Sequence, residues 1–277
     1  MEFLCLILFL SVAASWFFAN EYDILFGVYT PTCAMTRRCF NSVVFICLLS
    51  ALWKSRRCDV TESVQACLPG ALEARTIIVI ILSSMIVLMV LKSFRIRGSA
   101  IYAVLGALGA CSVISGGEYD PQWSLLLSFI AAPLMTFVLS SAIRAFFRAV
   151  FSKVKVHLIT MSYYMRLAVI FSIVLTVYAL GLNWGGFLRA GTEIISGTSA
   201  DVFVALAVLL AAIMSLSPLM RKASDENAGI YEDFSVYTIL AIGLSTALVM
   251  TLFSFGFIGL KAVPLAPGSL VFAALAG

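Results

Sequence analysis

The stretch "PLAPGSLVFAALAG" at residues 264–277 is apolar but short, and it restates a phrase already written as "FRIRGSAIYAVLGALG" at 94–109. Both copies read Gly-Ser, then apolar residues, then Ala and Gly. One helix crossing hydrocarbon needs about 17–25 mainly apolar residues. A run of fourteen, opened by Pro, Gly and Ser, reads instead as a half-helix entering from one membrane face. Such a helix is tolerated only where protein or water covers its exposed backbone. Small residues let neighbouring backbones approach, which is the packing reading we assign to Gly106, Ala107, Gly109 and Ala110.

Composition agrees with lipid as the solvent. The chain is 62% hydrophobic and 12% charged, against about 45–50% and about 25% in soluble domains. That leaves too little polar surface to cover a water-soluble globule. Candidate spans are 2–18, 75–93, 99–117, 123–147, 165–183, 201–220 and 234–260, with shorter runs at 40–53 and 264–277. Glu2 stands where a signal peptide carries a basic residue, so the first run reads as a span rather than a leader. The polar stretches 54–74, 184–200 and 221–233 are too small to fold alone.

Lys and Arg in short loops set the orientation. The cluster Arg144, Arg148, Lys153, Lys155 and Arg166 is placed in the cytoplasm, as are Lys92, Arg95 and Arg97. The acidic stretch at 116–121 then faces outward. Lys54, Arg56 and Arg57 fall outside, against the rule. In this scheme the span 99–117 leaves the cytoplasm and the run at 264–277 enters from the opposite side. The expected organisation is a first repeat at 1–117, a central helix and basic loop at 118–164, and an inverted second repeat at 165–277, incomplete at its C-terminus. Inverted repeats whose broken helices meet near the midplane mark secondary transporters. The expected fold class is all-α, polytopic, with broken or re-entrant helices.

Each half also carries a polar segment at the end of a long apolar run. "WFFANEYDILFG" supplies Asn20, Glu21 and Asp23, and "YALGLNWGGFLRAGTE" supplies Asn183, Arg189 and Glu193. Such groups can simply cap a helix at the headgroups. If the helices break inside the membrane instead, Asn20, Glu21, Asp23 and Asn183 are the candidates to coordinate a coupling cation. Ser99 and Ser269, with Gly98 and Gly268, start apolar helices, where free N–H groups and a hydroxyl favour an anion; helix capping by Ser is the plain alternative.

The remaining chemistry is sparse. Seven cysteines lie in the first 111 residues, with no Cys-x-x-Cys pair and no metal-ligand spacing. Cys5, Cys47 and Cys111 read as small buried hydrophobes, and Cys58 with Cys67 as a pair that an oxidising space would join. His157 reads as a solvated loop residue. There is no nucleophile–base pair, phosphate-cradling loop or nucleic-acid motif.

On these residues the chain resembles the inorganic phosphate transporter (PiT) family, whose two inverted halves each carry a Gly-Ala-Asn-Asp-x-x-Asn segment and a Pro-Val-Ser-Thr-Thr-His-x-x-x-Gly segment. In "PLAPGSLVFAALAG", Pro264 matches the Pro, Ser269 stands in the His place, Ala273 in the Gly place, and Gly277 matches the final Gly. "FRIRGSAIYAVLG" is the looser copy, with Ser99 in the His place. "GLNW" keeps Asn183 and has Trp184 for Asp; "FANE" keeps Asn20 and has Glu21 for Asp. The resemblance spans nearly the whole chain and implies transport of inorganic phosphate or a similar small oxyanion with Na+ or H+ by alternating access. It also implies a chain that continues past Gly277. The expected partners are that anion, the coupling cation, membrane lipid and a second copy as a homodimer. Neither an organic cofactor nor nucleic acid is among them. The expected location is the bacterial inner membrane. The rival readings are a non-transporting membrane scaffold, favoured by the absent Asp and His members, and an integral membrane enzyme acting on lipid phosphate, which the lack of acid–base groups opposes.

Overall fold

The computed structural model describes residues 27–29, 32, 34–54, 74–94, 99–114, 123–153, 158–196, 234–256 and 262–277. Seven helices account for nearly all of them: α1 Arg37–Lys54, α2 Ala74–Ser93, α3 Ala100–Ile114, α4 Trp123–Lys153, α5 Leu158–Ser196, α6 Val236–Ser254 and α7 Pro267–Ala276. Among the described residues there is no strand. Three stretches are long and apolar enough to cross a membrane: Leu127–Phe151 in α4, Ile159–Arg189 in α5 and Val236–Ser254 in α6.

The surface of α4 shows what solvent it is made for. Ser128, Ala132, Thr136 and Ser140, spaced by four, are completely buried, while Leu127, Ile130, Leu134, Phe137 and Val138 are exposed. Hydroxyls and a small methyl face the protein and large apolar side chains face out. In water this polarity would be costly. In lipid it is the expected one, because small and hydroxyl side chains pack helix against helix there. On α2, Val79, Leu82, Ile86, Val87, Met89 and Val90 are exposed in the same way.

Helix α5 packs between α1 and α6, α4 packs against α6 and α7, and α2 pairs with α3. Cross-links fix the directions. Thr176 reaches Gly243 and Asn183 reaches Ser254, so α5 and α6 run parallel. The connection between them, including the expected span 201–220, lies outside the described residues. The rings of Phe147 and Phe151 meet Tyr237 at the start of α6, at 6.4 and 5.2 Å. Helix α6 begins at Ser235, whose side chain accepts from the Thr238 N–H at 3.3 Å, and it stops beside Gly256, whose φ of 74° is the left-handed region glycine favours.

The chain then doubles back. The Val263 N–H donates to the Phe253 carbonyl at 3.1 Å. Residues 262–266 are non-helical and buried, and α7 runs back along α6 for ten residues. Its far end meets α4: Ser140 Oγ and Arg144 Nη2 donate to the Ala274 carbonyl at 2.8 and 2.6 Å, and Ser141 Oγ to the Gly277 carbonyl at 2.9 Å. A guanidinium thus sits at the negative end of the α7 dipole. The short run 264–277 is therefore a half-helix folded back against longer ones, as its length implied.

Three expectations need correction. The span 165–183 does not end at Asn183, for α5 runs unbroken from Leu158 to Ser196. At 39 residues it is roughly 58 Å long, well beyond a hydrocarbon core of about 30 Å. Gly181, Gly185 and Gly186 are buried within it. Packing inside a membrane bundle removes the competition from water that lets glycine end a helix, and glycine is frequent in such helices. The second correction is Gly106: a Cβ added there meets nothing within 4 Å among the described residues, so it is no packing contact. The third is Cys111, which is only half-buried, whereas Cys47 is buried as expected. Cys5, Cys58, Cys67 and His157 lie outside the described residues.

Candidate functional site at the start of the short helix

Helix α7 starts deep in the protein. Ala262, Val263, Pro264, Leu265, Ala266 and Pro267 are all buried, so the backbone polar groups of this non-helical stretch need partners from protein. Asn183 supplies them. Its Oδ1 accepts from the Leu265 N–H at 2.7 Å, and its Nδ2 donates to the Val263 carbonyl at 2.9 Å and to Ser254 Oγ at 3.3 Å. Both amide protons are engaged. Asn183 is completely buried and acts as a clamp that fixes where α7 begins. The sequence reading gave Asn183 to a cation; in the structure its amide holds the chain.

Pro267 occupies the first turn of α7, where a missing N–H costs nothing. Ser269 lies two residues on, half-buried beside Gly268, and its hydroxyl donates to the Ala266 carbonyl at 2.8 Å. The hydroxyl of Tyr102 then joins the two Gly-Ser phrases. It lies 3.3 Å from Ser269 Oγ and accepts from the Ala266 N–H at 3.4 Å. Tyr102 stands one turn into α3, whose first turn is closed by the Ala103 N–H donating to the Ser99 carbonyl at 3.1 Å. Its ring is set edge-on against Phe129 of α4 at 5.4 Å. It is the side chain of Tyr102, three residues on from Ser99, that reaches from α3 to the first turn of α7. Asn20, Glu21, Asp23 and Gly98 lie outside the described residues.

A second polar cluster lies between the segment at 27–29 and the α5–α6 pair. The Tyr29 hydroxyl is 2.9 Å from both Ser172 Oγ and Thr176 Oγ1. Thr176 Oγ1 lies 2.7 Å from the Ser172 carbonyl oxygen and 3.1 Å from that of Gly243. A side chain at 243 would fall on the Tyr29 hydroxyl and Ser172 Oγ, so glycine is what lets these oxygens reach the α6 backbone. The segment is held at a second point, where Arg166 Nε donates to the Ala34 carbonyl at 2.8 Å. Tyr102, Tyr29 and Gly243 escaped the sequence reading. The signal that could have found part of the cluster is the Ser-x-x-x-Thr spacing at 172 and 176 in an otherwise apolar run, two hydroxyls on one helix face.

No protein-family model, no curated protein and no solved structure matches the chain. Among the described residues no three His, Cys, Asp or Glu side chains gather as metal ligands. Glu193 is the only carboxylate side chain among them, and it pairs with Arg189 at 2.8 Å, one turn apart on α5.

Proposed function

We propose that this chain is a secondary transporter carrying inorganic phosphate or a similar small oxyanion across a membrane, the bacterial inner membrane on the reading above, driven by Na+ or H+. The observation that supports it best is the junction at Tyr102. A short helix starts inside a bundle of apolar helices, and the hydroxyls of Ser269 and Tyr102 meet at its first turn, at the positive end of its dipole. Helix N-termini carry partial positive charge and unpaired donors, which suits an oxyanion. The longer helices form the frame, and the short re-entrant piece is the element whose register Asn183 controls. Rocking of one half against the other about this junction would open it to each face in turn. The inverted repeat at 1–117 and 165–277, and a homodimeric assembly, belong to this reading.

Equilibrium binding of radiolabelled phosphate to the purified protein tests it. Ser269→Ala and Ser99→Ala should each weaken binding by about 0.5–1.5 kcal/mol if a neutral hydrogen bond is lost, and by up to about 3 kcal/mol if the anion is its partner. Ala is nearly the size of Ser, and the Ala266 carbonyl keeps the Ser269 N–H as a donor, so the fold should survive with only a small drop in melting temperature. Unchanged affinity in both variants, or no phosphate binding by the parent chain, would remove the anion from this site.

A further inference from the structure

We infer that the oxygen cluster of Tyr29, Ser172, Thr176 and Gly243, extended by Thr246, is a binding site for a monovalent alkali cation, Na+ by size. The chemistry of the donors carries this. Tyr29 Oη, Ser172 Oγ and Thr176 Oγ1 stand with the carbonyl oxygens of Ser172 and Gly243 inside one small volume, with neighbouring oxygens 2.7–3.1 Å apart. Those five oxygens share only three hydroxyl protons. Oxygens at this separation can converge on one hard cation at about 2.4 Å, within the range of protein oxygen ligands. The hydroxyl protons need only turn outward for it.

The second, independent observation is Thr246. It lies one turn beyond Gly243 on the same side of α6. Its hydroxyl is completely buried and has no hydrogen-bond partner. Other buried helical hydroxyls satisfy themselves locally: Ser84 on the Ile80 carbonyl, Thr136 on that of Ala132, Ser245 on that of Ile242 and Ser254 on that of Met250. Thr246 does not, and an orphaned buried hydroxyl costs about 1–3 kcal/mol. A cation held by the oxygens around Tyr29 would let the Thr246 hydroxyl serve as a further ligand.

Among the described residues the oxygens at the cluster are all neutral. Glu193, the carboxylate among the described residues, is on α5 nearly five turns beyond Thr176 and already paired with Arg189. Neutral oxygens alone suit a single positive charge, because divalent ions draw on carboxylates to offset their far larger desolvation. The site shares no residue with the Tyr102 junction. It rests on the proposed transport only for its role, as the place of the ion whose gradient drives the anion.

Thermal melting of the purified full chain in detergent, without phosphate and at constant ionic strength, reads the site directly. The melting temperature should rise with the logarithm of NaCl concentration above the dissociation constant and not with choline chloride, since a ligand of the native state stabilises it by mass action. Thr246→Val keeps the volume and removes no hydrogen bond within the protein, so it should fold and yet raise the apparent Na+ dissociation constant about tenfold. Ser172→Ala should do the same, and Thr176→Ser should keep the Na+ response where Thr176→Val loses it. Equal effects of NaCl and choline chloride, or an undiminished Na+ response in Thr246→Val, would overturn the assignment. Failure of phosphate transport would leave this result standing, and failure of the Na+ response would leave transport to be driven by protons.

Discussion

Gly243→Ala should unfold the bundle at a markedly lower temperature than the parent chain. The added methyl meets the Tyr29 hydroxyl and Ser172 Oγ, with Tyr29 Cζ at 2.9 Å behind them. Tyr29 has little room to retreat, being only 4% exposed. Overpacking typically costs about 1–3 kcal/mol, and a Tyr29 hydroxyl pushed off its partners adds about 1–3 kcal/mol for an unsatisfied buried group. The expected loss is therefore about 2–6 kcal/mol. Gly106→Ala is the control. Its site is exposed with open space around it, so it should gain the helix propensity of Ala over Gly, up to about 1 kcal/mol. Tyr29→Phe should partly rescue Gly243→Ala, because the two positions touch and their effects will not add. Equal melting temperatures for Gly243→Ala and Gly106→Ala would show that the segment at 27–29 does not seat on α6 as described.

Asn183→Leu should be as damaging, for a different reason. The change nearly conserves volume but strips the Leu265 N–H and the Val263 carbonyl of their partners inside the protein. Two backbone groups left unsatisfied at about 1–3 kcal/mol each give about 2–6 kcal/mol. Ser254 keeps its bond to the Met250 carbonyl, so the loss is confined to the approach to α7. Hydrogen exchange at the amides of 263 and 265 should accelerate far more than at α4, and phosphate affinity should fall with it. Uniform acceleration across all helices would mean that Asn183 is an ordinary packing residue.

These two positions also show what could be read before the fold was seen. The apolar runs 75–93, 99–117 and 40–53 lie in α2, α3 and α1 with small changes at their ends, although among the described residues only α4, α5 and α6 hold stretches long and apolar enough to cross a membrane. The half-helix at 264–277 was legible from its length. The true lengths of α4 and α5 were not. Arg144, Arg148 and Arg166 mark a loop by composition, yet all three lie on helices that continue beyond the apolar stretch. Arg144 and Arg166 turn their guanidinium groups onto the carbonyls of Ala274 and Ala34, so two of these charges are held on helices by protein partners. Asn183 was recognisable as special, but its partners lie up to 82 positions away and no local pattern names them. The pairing of Tyr29 with Thr176, 147 positions apart, is still less visible. Tyr102 is one aromatic residue among many until the fold brings it to Ser269. Local rules found the elements, and contacts distant in sequence decided which polar groups meet.

Uptake of radiolabelled phosphate into proteoliposomes under an imposed inward Na+ or proton gradient tests the central claim most directly. The expected result is accumulation above the equilibrium level that collapses when the gradient is dissipated by an ionophore, with Ser269→Ala reducing it. Uptake no greater than in protein-free liposomes under both gradients, from protein whose melting transition remains intact, would contradict it.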